Sequence, residues 1–144
     1  MKKSLLYLFV CLFSMSLTVA CGDDDNNDIE FKGSPTNPIT SVDLKKGNVV
    51  HKSDDGETVE IYYYNFVKGK LDNIKAEIHY KTEELADVSY NYWKNETSAE
   101  EKEFTSVKKN GKTIKAEFGK GSDYLKRFQG ATAAQLVEYL NYDE

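Results

Sequence analysis

The sequence predicts an α+β domain: an antiparallel sheet of about five strands with helices on one face, in the order β-β-β-α-β-β-α. Three observations lead there. Asp55-Gly56 and Asn110-Gly111 are signals for tight hairpins, because both central positions of the favoured turn need positive φ. Ile74, Ala76, Ile78 and Tyr80 alternate with Lys75, Glu77, His79 and Lys81, the period-2 pattern of a strand with one wet face. At Thr82 the apolar spacing changes to about 3.6, so a helix stands between the hairpins. Strands and helices mixed in this order give a sheet covered on one side.

The chain has 144 residues, room for one ordinary domain, and its beginning reads as something other than fold. Met1-Lys2-Lys3 is basic, and residues 5–19 form an apolar run that ends at Ala20-Cys21. The run falls short of the ~20 residues needed to cross a bilayer core and closes on a small residue, as a secretory signal does. Leu17-Thr18-Val19-Ala20-Cys21 resembles the lipobox of bacterial lipoproteins, with Thr18 where that family usually carries an aliphatic residue. The resemblance implies that residues 1–20 are a signal peptide, that the chain is cut before Cys21, and that the Cys21 sulfur carries lipid. An ordinary secretory peptide cut after Ala20, with Cys21 free, is the competing reading.

Asp23, Asp24 and Asp25 follow at once, then Asn26, Asn27 and Asp28. Such a tract buries no apolar area and reads as a solvated tether. Behind a lipidated cysteine it is similar to the surface-export tract of lipoproteins from Bacteroidota. That likeness implies an outer-membrane protein anchored through acyl chains, facing the cell surface in preference to the periplasm. Several chains together hold a protein where one alone binds only marginally. Both prolines, Pro35 and Pro38, lie in the same stretch, so residues 21–45 are expected to be tether, with at most a short extended piece over residues 39–44. The domain is then residues 46–144.

Residues 48–52 predict a first strand, and residues 57–67 (ETVEIYYYNFV), rich in β-branched and aromatic types, a second. In it Val59, Ile61, Tyr63 and Val67 share one face, while Tyr62, Tyr64 and Phe66 share the other. Residues 83–95 predict a helix capped by Thr82, with Glu83 and Glu84 suiting the positive end of the helix dipole. Its core stripe is expected to hold Leu85, Val88, Ser89 and Tyr92, widened by Ala86, Tyr90 and Trp93. In the second hairpin a turn centred on Asn110-Gly111 sets Val107 opposite Ile114 and Thr105 opposite Ala116. Phe104 then has the wrong parity, which calls for a later strand start, a bulge or a short helix beginning at Ser98. A helical turn over residues 122–128 follows, and Thr132 with Gln135 forms a capping box for a last helix whose apolar stripe is Ala133, Leu136, Val137 and Leu140. The layout resembles small bacterial lipoproteins in which a hairpin, a helix and a second hairpin follow an acylated cysteine.

Composition narrows function mainly by exclusion. Removal of residues 1–20 deletes Lys2 and Lys3 and no acid, taking the net charge from −5 to −7, which leaves no electrostatic footprint for nucleic acid. The mature chain keeps Cys21 alone of the two cysteines, so it has no disulfide framework and no thiol nucleophile. No nucleophile elbow, zinc-protease, phosphate-loop or dinucleotide motif occurs, and no cofactor is expected. A hydrolase built on two carboxylates needs no motif, and among 24 acids no pair stands out. His51, His79 and Glu60 could form a two-histidine, one-carboxylate metal site if His51 sits opposite Glu60. Solvated strand histidines are the commoner case.

Tyrosine is the compositional excess, with ten residues. Tyr63, Tyr80 and Tyr92 fall on the expected core stripes. Tyr62, Tyr64 and Phe66, on the second face of the central strand, are the candidate ligand-contact aromatics. The sequence therefore predicts a non-enzymatic, membrane-anchored lipoprotein that binds a protein, glycan or envelope component. An inhibitor or immunity-type protein that blocks a secreted enzyme or toxin is the alternative.

Overall fold

The computed structural model describes residues 29–96 and 103–142. Six strands, β1 (Ile39–Lys45), β2 (Asn48–Asp54), β3 (Thr58–Val67), β4 (Lys70–Tyr80), β5 (Phe104–Asn110) and β6 (Thr113–Phe118), form one antiparallel sheet in the order β1-β2-β3-β4-β6-β5. Helix α1 (Glu83–Glu96) separates β4 from β5, and α2 (Asp123–Phe128) and α3 (Ala133–Tyr142) follow β6. The α+β class agrees with the sequence. The count does not, since β1 is a complete edge strand and residues 123–128 make a true helix.

β1 falls where the sequence predicts at most a short extended piece within a tether. Five of its seven residues are exposed, so it presents no apolar face that periodicity could detect. It joins β2 through Lys46 and Gly47, whose φ angles of 52° and 82° place both in the left-handed region that a two-residue hairpin turn uses. All seven residues of β1 pair with β2. The domain therefore begins ahead of residue 46.

Two hairpin registers differ from expectation. His51 pairs with Tyr62, and Glu60 pairs with Ser53. The Asp55 carboxylate accepts the backbone N–H groups of Glu57 and Thr58 at 2.9 and 2.7 Å, which lengthens the β2–β3 loop beyond two residues. In the second hairpin Gly111-Lys112 occupies the turn and Asn110 pairs with Thr113, so Val107 lies opposite Ala116 and Lys109 opposite Ile114. A register shift between Phe104 and Ser106 makes Thr105 the bulged residue and turns Phe104 inward, where it is 1% exposed.

The inner face of the sheet carries Tyr62 and Tyr64 from β3, Ile74, Ala76 and Ile78 from β4, and Ile114 and Ala116 from β6. All three helices pack there. Helix α1 stacks Trp93 on Phe104 at 5.6 Å between ring centres and buries Ala86. The Ser122 hydroxyl caps α2 by accepting from Leu125 N at 2.9 Å, and Tyr124, Leu125 and Phe128 point to the core. The capping box of α3 closes from both sides: Gln135 N donates to the Thr132 hydroxyl at 3.2 Å, and Thr132 N donates to the Gln135 side chain at 2.9 Å. Leu136 and Leu140 then seat on the sheet over β1 and β2.

Orientation of α1 corrects the sequence reading. Ala86 and Trp93 are buried and Tyr90 packs against the core, whereas Leu85, Val88 and Tyr92 are exposed by 40%, 71% and 52%. Two apolar stripes overlap on this helix, and the one with the larger aromatic won the core.

Candidate functional site

The expected aromatic platform lies inside the protein. Tyr62 and Tyr64 are 1% and 0% exposed, and Phe66 is half-buried against the core. Their face of β3 is the one beneath the helices, so Tyr62 and Tyr64 are unavailable to a ligand in this structure. The rings form a continuous chain. Phe118 stacks on Tyr124 at 4.7 Å, Tyr124 tilts on Tyr62 at 5.7 Å, and Phe128 meets Tyr64 edge-on at 5.8 Å. The tyrosine excess is thus largely core, with offset and edge-on geometries that favour aromatic pairs.

Glu60, a candidate metal ligand in the sequence, sits instead on that same inner face. Burial pushes its carboxyl well above the usual 4.5, and the charge of Asp55 adds to the effect. Its Oε2 has no hydrogen-bond partner. Tyr62, Tyr80 and Tyr124 lie close enough to feel its charge, and each hydroxyl is raised first of all by its own burial. A lone acid inside an aromatic strand carries no periodic signal, because one polar residue does not break a β pattern.

The outer face of the sheet is the side away from the helices. Tyr63 stands on β3 between its cross-strand partners Val50 and Lys75, and all three are half-buried. Beside it lies a polar row. Glu77 Oε1 is 2.7 Å from His79 Nε2, Glu77 Oε2 is 3.6 Å from Lys115 Nζ, and the Thr113 hydroxyl is 3.1 Å from His79 Nδ1. Hydroxyl, imidazole and carboxylate are in line on this face, with the His79 and Glu77 side chains 15% and 12% exposed.

The proposed metal triad does not assemble. His51 lies on the inner face, 6.0 Å from the Tyr62 ring, whereas His79 lies on the outer face opposite Val59 and Thr113. Among the described residues no group of three or more His, Cys, Asp or Glu is placed to hold a metal ion.

At the β1 end of the outer face an open cleft of about 390 Å³ lies between residues 29–32 and the strands, lined by Ile29, Lys32, Ile39, Ser41, Lys52 and Asp54 among others. Asp54 is its organising group. Its Oδ2 accepts the backbone N–H groups of Lys32 and Gly33 at 2.6 and 3.1 Å, and its Oδ1 accepts Gly56 N at 2.9 Å. Burial alone would raise this carboxyl, but the three N–H donors and the charge of Lys52 outweigh it and hold it below the usual 3.8.

Cys21, Asp23, Asp24 and Asp25 lie outside the described residues. No helix among the described residues is long and apolar enough to cross a membrane. No family model, no curated protein and no solved structure matches this chain.

Proposed function

We propose that this protein is a lipoprotein anchored through Cys21 in the outer membrane, facing the cell surface, and that its domain acts by binding a protein or glycan. The anchoring part rests on the Leu17–Cys21 motif and the acids behind it. The observation that carries the binding part is the distribution of helices: all three cover one face, which leaves Tyr63, flanked by Val50 and Lys75, on the other. An amphipathic ring between an aliphatic and a basic side chain suits a sugar face or a protein hot spot. Charge on this face is mixed, with Lys52, Lys75 and Lys115 near Glu77 and Glu117, which fits a binding surface better than the acidic face of an inhibitor.

Two experiments test the reading. Metabolic labelling with a tagged palmitate should mark the wild type and not Cys21→Ala, and the variant should leave the membrane fraction. An unlabelled wild type, or a Cys21→Ala protein that stays with membranes, would refute the anchor. For binding, isolated envelopes and a glycan array are probed with the wild type, Tyr63→Ala and Tyr142→Ala. Tyr142 is 81% exposed on α3 and serves as the control. Loss confined to Tyr63→Ala is expected, and equal binding by all three proteins would remove the outer face from consideration.

A further inference from the structure

Residues 29–38 do not belong to the sheet, yet they are fastened to it. They cross the outer face at the β2–β3 end, and the fastening converges on one side chain, Asp54, which takes the N–H groups of Lys32 and Gly33 on one oxygen and that of Gly56 on the other. The fit is close at this point. A Cβ on Gly33 would run into the Asp54 carbonyl, and a Cβ on Gly56 would come within 2.5 Å of the Gly33 carbonyl oxygen. Away from the fastening the segment stands off the strands, since the cleft of about 390 Å³ lies between residues 29–32 and β1 with β2. Its own fold is local: Ser34 N donates to the Asn37 carbonyl at 3.1 Å and Asn37 N donates back at 3.0 Å, so the Ser34–Asn37 turn can travel as a unit.

We propose that residues 29–38 are a latch, that Asp54 keeps it closed, and that protonation of this one carboxyl opens it while the sheet and helices stay folded. A carboxylate is acceptor-only and can serve three N–H groups, whereas a carboxylic acid turns one oxygen into a donor that faces a donor. The hydrogen bonds that survive lose their charge assistance. The groups around Asp54 do not replace it. Lys52 lies on its own strand, Glu30 and Lys32 on the latch are 3.1 Å apart and neutralise each other, and the cross-strand partners Ile39 and Val59 carry no charge. Asp55, next in the chain, is committed to Glu57 and Thr58. The carboxyl is held below its usual 3.8, so the latch is closed at neutral and mildly acid pH and opens as pH falls through that lowered value. Opening would release residues 29–38 from the sheet, up to the start of β1. Ten freed residues add about 33 Å of reach at ~3.3 Å each. That gain in reach rests on the anchor proposed at Cys21, and the latch itself does not.

The test is amide hydrogen exchange on the full chain in detergent at pH 7, 5 and 2.5, with each rate divided by its intrinsic value. As pH falls through the lowered Asp54 value, the Lys32 and Gly33 amides should lose protection by about tenfold or more, the scale of a charged hydrogen bond, while Ile74, Ala76 and Ile78 keep theirs. Asp54→Asn should show the same loss at pH 7 and none beyond it on acidification. Gly33→Ala, which leaves the carboxyl in place, should open the latch at every pH. A closed latch in Asp54→Asn at pH 7, or simultaneous loss in the latch and β4, would overturn the proposal. Cys21→Ala changes membrane attachment without touching these amides, so the latch and the anchor fail separately.

Discussion

Tyr64 on β3 and Tyr124 on α2 share a hydrogen bond of 2.7 Å between their hydroxyls, in the core and sixty residues apart in the chain. The bond joins the central strand to the shortest helix, and it lets two polar atoms be buried without loss. Removing one partner strands the other, which costs about 1–3 kcal/mol, whereas removing both leaves two phenylalanines of nearly the same shape. Tyr64→Phe and Tyr124→Phe should each destabilise the domain by that amount, and the double variant by less than the sum. Urea unfolding in a double-mutant cycle measures the coupling, and strict additivity would show that the bond contributes nothing.

Glu60 makes stability depend on pH in a stated direction. Its carboxyl is raised well above 4.5 in the folded protein, so the folded state holds a proton that the unfolded chain has released. Its full contribution is therefore present below the unfolded value near 4.5, and it is lost as pH rises from there through the folded value. Glu60→Gln keeps the shape and removes the ionisation. It should match the wild type at pH 4 and exceed it at pH 8, and melting curves across that range would reveal the crossing. Parallel curves for the two proteins would mean that Glu60 is not buried as a neutral acid.

Lys46-Gly47 and Lys68-Gly69 both occupy hairpin turns with left-handed backbone at each residue, the lysines having φ of 52° and 51°. A side chain with a Cβ is strained there by about 1–2 kcal/mol, and asparagine tolerates the region better. Lys46→Asn and Lys68→Asn should each stabilise the domain by about 0.5–1 kcal/mol, read as a rise in melting temperature. No gain at either site would mean that the lysines make compensating contacts.

These turns also explain what was legible in the sequence. Asp-Gly and Asn-Gly announce hairpins through residues that prefer positive φ, although neither Asp55 nor Asn110 adopts it, whereas Lys-Gly hides a true left-handed pair behind a residue that merely endures it. β1 reads as no more than a short extended piece for that reason and because most of its side chains face water. The capping pair Thr132 and Gln135 was readable because both halves of the motif are local. Which face of β3 becomes core was not, since Ile61 and Tyr63 are as apolar as Tyr62 and Tyr64, and only the docking of the helices decides between them. Asp54 was likewise invisible as a fastening, because its partners Lys32 and Gly33 lie more than twenty residues away and contribute backbone alone.

Helix α1 offers the sharpest separation between the sequence reading and the structure. If the stripe of Leu85, Val88 and Tyr92 were core, polar substitutions there would cost several kcal/mol. With Val88 71% exposed and Leu85 40% exposed, Val88→Gln and Leu85→Gln should change stability by less than about 0.5 kcal/mol. Trp93 is 5% exposed and stacked on Phe104, so Trp93→Ala should cost about 3–5 kcal/mol, and Ala86→Leu, at a position with no exposed surface, about 1–3 kcal/mol through overpacking. Circular dichroism melts of the four variants rank the two stripes directly. A larger loss at Val88 than at Trp93 would require α1 to be rotated by about a third of a turn, which would pull Trp93 off Phe104 and carry Asp87 away from the Lys109 ammonium it now meets at 2.6 Å.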